Sequence, residues 1–331
     1  MSDVALESVA TSPQSRPPRE RSKVVAVGQQ STFLGVVVLL FAGALIFLPA
    51  MRDGSYLMVQ LATYSAIAIM ALGQTFVVIH VGFDLSTGAV QGFTGGIVYV
   101  LVGWHWNDGL VILGALAVAT LVGAGLHGLL IAKLKMNFFI VTLATFTILP
   151  SLLRVMLDGS SKAVFSPTLD TLAYGSTLGV RNQVILALVV FAVLWAVLNL
   201  TVFGRNVYAI GSNREATRLA GVRVDRVTVA CYGLSALCAG IAGLMLVGNL
   251  GAADPGAGLG NEFLALTAVL LGGTRFSGGQ GSLFGTILGV VFLLLLTNIL
   301  LLSGLPQFWI GSVQGVTLLV AVAVDRARRE A

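Results

Sequence analysis

Long apolar runs broken by short polar stretches repeat along most of the chain, at about 33 to 50, 56 to 79, 85 to 103, 109 to 132, 136 to 156, 183 to 202, 228 to 250, 262 to 273, 282 to 302 and 306 to 324. All but the eighth approach or exceed the roughly 18 to 20 residues that carry a helix across a hydrocarbon core. The pattern predicts an all-α, polytopic membrane protein of about ten transmembrane helices. The eighth run is short. It is either a half-helix, or the glycine-rich segment behind it dips back into the protein, which is tolerated at membrane depth only when shielded from lipid.

Composition agrees with that class. A chain that is 56% hydrophobic and 10% charged cannot hide its apolar surface in a soluble core. Its 40 glycines suit helices in lipid, which pack through small residues rather than through expulsion of water. The net charge of +5 does not signal nucleic acid, because the basic residues fall between apolar runs and form no aromatic-lined surface. Cys231 and Cys238 lie about 10 Å apart along one expected helix, too far for a disulfide. They read as small packing residues.

The start of the chain is polar, with Pro13, Pro17 and Pro18 among Arg16, Arg19, Arg21 and Lys23. The expected organisation is a disordered cytoplasmic tail over 1–32, a transmembrane domain over 33–324 and a cytoplasmic C-terminal tail over 325–331. A secretory signal is the alternative, but Phe33 to Ala50 is long for one and lacks a small-residue cleavage site. With the N-terminus inside, 15 of the 19 basic residues fall on cytoplasmic segments, leaving Arg52, Arg154, Lys162 and Arg181 outside. The positive-inside rule is obeyed, and an odd number of spans would spoil it at one terminus.

The longest polar interruption, Gly204 to Arg226, holds five arginines with Glu215 and Asp225 and must lie in water. Ser212-Asn213-Arg214-Glu215 has capping-box spacing, in which Ser212 accepts from the amide of Glu215 and that carboxylate reaches back to Ser212. Gly221 supplies a left-handed stop. The expectation is a helix of about two turns from Asn213 to Ala220, too short to stand alone in water and so in need of a surface to dock on.

Asp84 stands between two apolar runs. An acid near the membrane interior is expensive and by default functional, yet Asp84, like Ser86, is also a favoured N-cap for the third helix. Gly273 to Gly279 repeats the spacing of Gly82 to Gly88, which suggests two related halves around a central pathway. Gly281, Gly285 and Gly289 form a stripe on one helix face, packing either within the subunit or at a dimer seam. His80, His105 and His127 are scattered and share no metal-ligand spacing. No lysine follows a glycine, so there is no phosphate loop, and neither His-Glu-x2-His nor Gly-x-Ser-x-Gly occurs. The chain is not expected to be an enzyme. Few charges inside the runs also argue against an ion-driven carrier.

Four stretches resemble a known family. "YAIGSNREATRLAGV" resembles the cytoplasmic coupling segment of permease subunits of bacterial ABC importers, in the ribose and related monosaccharide branch. "GQTFVVIHVGFDLSTGAV", "NFFIVTLATFTI" and "LTAVLLGGTRFSGGQGSLFGTILG" resemble three further signatures of that branch, in the same order. The chain departs from the pattern at Val81 and Phe83, where the pattern has Gly and Ile, and at Asn137, where it usually has Pro. The resemblance implies a monosaccharide permease of the bacterial inner membrane with both termini cytoplasmic. It also implies a substrate-binding protein, a second permease subunit (identical or not) and an ABC ATPase subunit that binds the ATP, so that this chain needs no cofactor. Ser212, Asn213, Arg214, Glu215, Ala216, Arg218, Leu219 and Gly221 would then form the coupling helix seated on the ATPase. Gln74, Thr75, Asp84, Ser86, Thr142, Thr145 and Asn298, with Gln314, are polar residues in or beside the spans that can bond sugar hydroxyls or neighbouring helices. The alternatives are a permease of the same superfamily for branched-chain amino acids or nucleosides, and a stand-alone secondary transporter or channel.

Overall fold

A computed structural model describes the backbone of residues 18–330 and the side chains of 33–306 and 308–323. In chain order the helices are α1 (Pro18–Phe47), α2 (Gly54–Ile79), α3 (Thr87–Gly103), α4 (Asp108–Ala132), α5 (Phe138–Met156), α6 (Pro167–Tyr174) and α7 (Asn182–Leu200). They continue with α8 (Val202–Ser212), α9 (Arg214–Leu219), α10 (Val224–Leu250), α11 (Asn261–Leu271), α12 (Leu283–Leu302) and α13 (Gln307–Glu330). Each apolar run forms one helix, and α2, α4, α5, α7, α10 and α12 are long and apolar enough to cross a membrane. The protein is an all-α, multi-pass membrane protein.

Helix reaches into both stretches expected as tails. Residues 1–17 lie outside the described residues, but the backbone is helical from Pro18. Proline is well placed in a first turn, where its missing N–H leaves no bond unmade, and the Arg-Glu-Arg run after it favours helix. At the other end α13 continues through the expected tail to Glu330.

Helices α2 and α10 form the centre. Their most apolar windows are 89% and 67% buried, against 17% for the peripheral α7. Gly73 makes the close approach possible, since a Cβ there would lie 2.7 Å from Cys238 Cβ and 3.1 Å from Ser235 Cα. At one end of the bundle, called the far end here, α6 sits with two short antiparallel ladders. These pair β1 (Lys162–Ala163) with β4 (Ala252–Ala253), and β2 (Ser176–Thr177) with β3 (Val180–Arg181). The near end carries α8 and α9.

Helices α3 and α11 are different in kind. The 11 residues of α11 rise only about 16 Å, roughly half of a 30 Å hydrocarbon core. Its C-terminus is at the near end, where Gly272 packs on the Gly285 carbonyl of α12. Its N-terminus meets the N-terminus of α3: the space that a Cβ on Gly88 would fill holds Glu262 Oε2 and the Gly258 carbonyl. Residues 80–86 therefore rise from the near end, residues 251–260 descend from the far end, and the two helix starts meet at mid-depth. The eighth run is a half-helix, and the segment that dips is the one ahead of it. The related pair of segments is thus 80–86 with 251–260, whereas Gly273 to Gly279 stays at the near end.

Candidate functional site

The polar stretch builds a jointed projection at the near end. Thr201 caps α8, and at Asn213 the chain turns into α9. Asn213 is extended at φ −159° and its Oδ1 accepts from the Ala216 amide at 2.9 Å. This corrects the capping box. Ser212 is still the last residue of α8 and donates its hydroxyl to the Tyr208 carbonyl at 2.9 Å, so the residue three beyond the cap is Ala216. Glu215 instead pairs with Arg218 at 3.1 Å. The stop is as expected: Gly221 has φ 85°, its amide bonds the Arg218 carbonyl, and the Val222 amide bonds the Thr217 carbonyl, a Schellman ending.

The back of this projection is keyed into the bundle by backbone. Gly279 donates to the Ile79 carbonyl at 2.8 Å, and Gly211 presses on both, since a Cβ there would overlap that carbonyl and lie 2.5 Å from Gly279 N. Tyr208 donates its hydroxyl to the Gly281 carbonyl at 2.8 Å. The end of α2, the 273–282 loop and α8 therefore share one joint. The front is open: Leu219 is 78% exposed beside the exposed Glu215 and Arg218. Next to α9 lies a cleft of about 630 Å³ whose lining includes His80, Lys135, Asn137, Arg214 and Asp225, with Lys135 and Asp225 paired at 2.7 Å. Burial, helped by the nearby Arg214 charge, pulls the His80 imidazole down to about 4, and its Nε2 lies 3.0 Å from Thr228 Oγ1. Asn137 opens α5 as its N-cap, its Oδ1 accepting from the Phe139 amide at 2.9 Å, a bond that a proline there could not make.

At mid-depth Asp84 is fully buried. Its Oδ1 accepts from the Ser86 amide at 2.9 Å and from the Ser86 hydroxyl at 2.5 Å, fastening the turn that launches α3. The N-cap position itself belongs to Ser86, which makes no side-chain cap bond. Asp84 Oδ2 lies 3.4 Å from the Ser235 hydroxyl and 3.9 Å from His127 Nδ1. His127 belongs to a π-helical turn in α4, Leu121–Gly128, a widened turn of the kind common at functional positions, and its Nε2 meets Thr145 Oγ1 at 2.9 Å. Along the chain His127 is only one of three scattered histidines, and its spacing from Asp84 carries no sign of this approach. A usable signal was its flanking glycines: Gly123 rests on the Tyr232 carbonyl, and a Cβ on Gly128 would lie 2.8 Å from Val229 Cα.

Glu262, the first residue of the eighth apolar run, is buried at the two helix starts, both its oxygens accepting from the Gly260 amide at 3.0 and 3.1 Å. Next to it Asn261 donates to Gln91 Oε1 at 2.8 Å. The other expected polar residues, Gln74, Thr75, Thr142, Thr145 and Asn298, are also buried. Thr75 bonds Thr286 at 2.8 Å, Thr142 bonds the Phe138 carbonyl at 2.9 Å, and Asn298 accepts the Tyr56 hydroxyl at 2.5 Å. The Gln74 amide has no partner among the described residues. Gly281, Gly285 and Gly289 all pack inside the subunit, against Thr274, the Gly272 carbonyl and the Ala268 carbonyl.

Broken helices that meet at mid-depth inside a multi-pass bundle, with a keyed helix projecting from one end, define a membrane transport permease. The chain belongs to the family described as the permease component of the branched-chain amino acid transport system, whose family model matches residues 56–322. It is 36% identical over 266 residues to the ribose import permease of Escherichia coli (strain K12), covering 79% of this chain and 83% of that one. The ribose import permease of Haemophilus influenzae is 34% identical, covering 90% and 93%. The L-arabinose ABC transporter permease of Azospirillum brasilense is 30% identical, covering 98% and 97%. No solved structure matches the chain.

Proposed function

We propose that this chain is the membrane half of an ATP-driven importer for a monosaccharide of the pentose kind, working in the bacterial inner membrane. The names of its relatives, ribose and L-arabinose permeases, support the sugar over an amino acid or nucleoside. In this reading a binding protein delivers sugar at the far end. A second permease subunit completes the path, and an ATPase subunit binds ATP at the near end, which is cytoplasmic along with both termini. All ten principal helices belong to the membrane domain, α3 and α11 entering from opposite sides.

One observation carries the mechanism. α9 offers Leu219 within a rim of Arg214, Glu215 and Arg218, while its root is locked to the end of α2 and to the 273–282 loop through Gly211 and Tyr208. A partner that grips the rim moves α2, α10 and α11 together rather than α10 alone. ATP biases the outward and inward forms only by the difference in how the ATPase binds each of them.

The test is uncoupling. Thr217→Pro removes the bond from the Thr217 amide to the Asn213 carbonyl, and Gly221→Val penalises the left-handed stop. In proteoliposomes holding the assembled transporter, each variant should keep hydrolysing ATP while labelled ribose uptake falls about tenfold or more, the effect of losing some 1.4 kcal/mol of coupling. Wild-type uptake in both variants, or ribose flux without any ATPase, would sink the proposal.

A further inference from the structure

Irregular backbone is tolerated at membrane depth only where it is covered by protein or lines water. The descending segment 251–260 meets that condition on one side alone. Its inner side is buried, with Gly258 against the Gly88 carbonyl and the Ala257 carbonyl against Gly92. Its outer side is not: Gly256, Leu259 and Gly260 are exposed, and so is Phe263 on the first turn of α11.

The same open flank continues onto α5. The Phe146 ring lies 6.4 Å from that of Phe263. Thr147 and Ser151, one turn apart, are exposed and line a groove of about 360 Å³ together with Ile148, Leu152 and Val155; their hydroxyls donate to the Ala144 and Thr147 carbonyls at 2.8 and 2.9 Å, which leaves their lone pairs as acceptors. Pro150 has no N–H to give the carbonyl four residues back, so α5 leaves the Phe146 carbonyl without its helical partner beside the ring pair. α5 also exposes Leu143, Ile148, Leu152 and Val155, but the exposed middle of α7, at Leu188, Val189 and Val193, carries no hydroxyl at all, as a lipid-facing surface requires.

We propose that the outer edge of 256–260, the Phe146–Phe263 pair and the Thr147–Ser151 face of α5 together form the water-filled wall of the solute path. Its ligand is a neutral polyol, met by ring faces, by the two hydroxyls as acceptors and by the Phe146 carbonyl that lacks its usual helical donor. The buried residues around Asp84 then support the wall from behind. The ligand's identity rests on the sugar-importer reading; the wetness of the wall does not.

Because Cys231 and Cys238 are buried, new surface cysteines give clean signals. Thr147→Cys, Ser151→Cys and Leu259→Cys are compared with Leu188→Cys and Val193→Cys in the full transporter in liposomes, using a water-soluble cationic thiosulfonate. The first three should react at least about tenfold faster than the last two, since only exposed thiolates react, and D-ribose should slow the reaction severalfold at 147 and 151. Slow labelling at all five positions overturns the wet wall. Fast labelling that no transported solute slows overturns the contact with ligand. If the wild-type complex carries leucine and not ribose, the sugar reading fails, while labelling at 147, 151 and 259 still decides the wall.

Discussion

The two segments that end at mid-depth, 80–86 ahead of α3 and 251–260 ahead of α11, solve one problem with opposite chemistry. The first is held from outside itself: Asp84 ties Ser86 to α10 through Ser235 and approaches His127 of α4, all fully buried. The second is held by backbone, laddered onto Lys162–Ala163 at its far end and then turning on Gly251, Gly258 and Gly260 at φ 61°, 83° and 93°. Its acid, Asp254, remains part-exposed and bonds Ser161 and the Gly256 amide. The difference teaches that a re-entrant segment locked by neighbouring helices becomes a fixed post. One laddered at its start and turning on glycines can keep a side open to water.

The largest effect should separate the two acids. Asp84→Ala strands the Ser86 amide and leaves His127 without its neighbour. It should destabilise the protein by about 3–5 kcal/mol in thermal unfolding in detergent, against about 1 kcal/mol for Asp254→Ala. Equal losses would break the comparison. The Ser161 hydroxyl and the Gly256 amide hold the Asp254 carboxyl below its usual range. Its share of stability is therefore full above the ordinary carboxylate range and fades only as pH falls through the depressed folded value.

His80 opens the first segment and answers to pH in the same direction at a higher value. Its imidazole is depressed from 6.5 to about 4, so the fold favours the neutral ring. The stabilisation is complete above pH 6.5 and is lost on descending toward 4. Between pH 7 and 4.5 it should amount to about 2–3 kcal/mol. Unfolding curves of wild type and His80→Gln should converge over that window, and a constant gap would refute the assignment.

The smallest effects should have opposite signs. Val81 is β-branched yet sits at φ 71°, so Val81→Gly should stabilise by about 1 kcal/mol. Gly258→Ala, which drives a methyl into the Gly88 carbonyl, should destabilise by about 2 kcal/mol. Two changes of the same sign would mean that the segments turn for the same reason.

Much of the molecule is legible in the chain because each of these features is local. Apolar runs give the helices, Gly221 gives the left-handed stop, and Asn213 to Ala220 gives α9 to within a residue at each end. Choosing between Ser212 and Asn213 as cap was not possible from spacing alone, since both are good caps and the choice depends on where α8 stops. The meeting of Glu262, Gly88 and Gln91 was invisible for another reason. It joins residues far apart in the chain through glycine contacts, and a charge at the edge of an apolar run looks the same whether the loop beside it leaves the membrane or turns inward. Val81 was legible as a departure from the resembled family's pattern; its positive φ supplies the physical meaning.

The contact among Gly211, Gly279 and Ile79 contains no side-chain atom that substitution could adjust. Its stiffness is a property of peptide geometry, so it admits no gradual tuning: a methyl group breaks it, and nothing smaller exists. If the motor grips the rim of α9 and the cargo meets the flank of α5, as proposed, each of those contacts can be retuned side chain by side chain while the joint between them cannot.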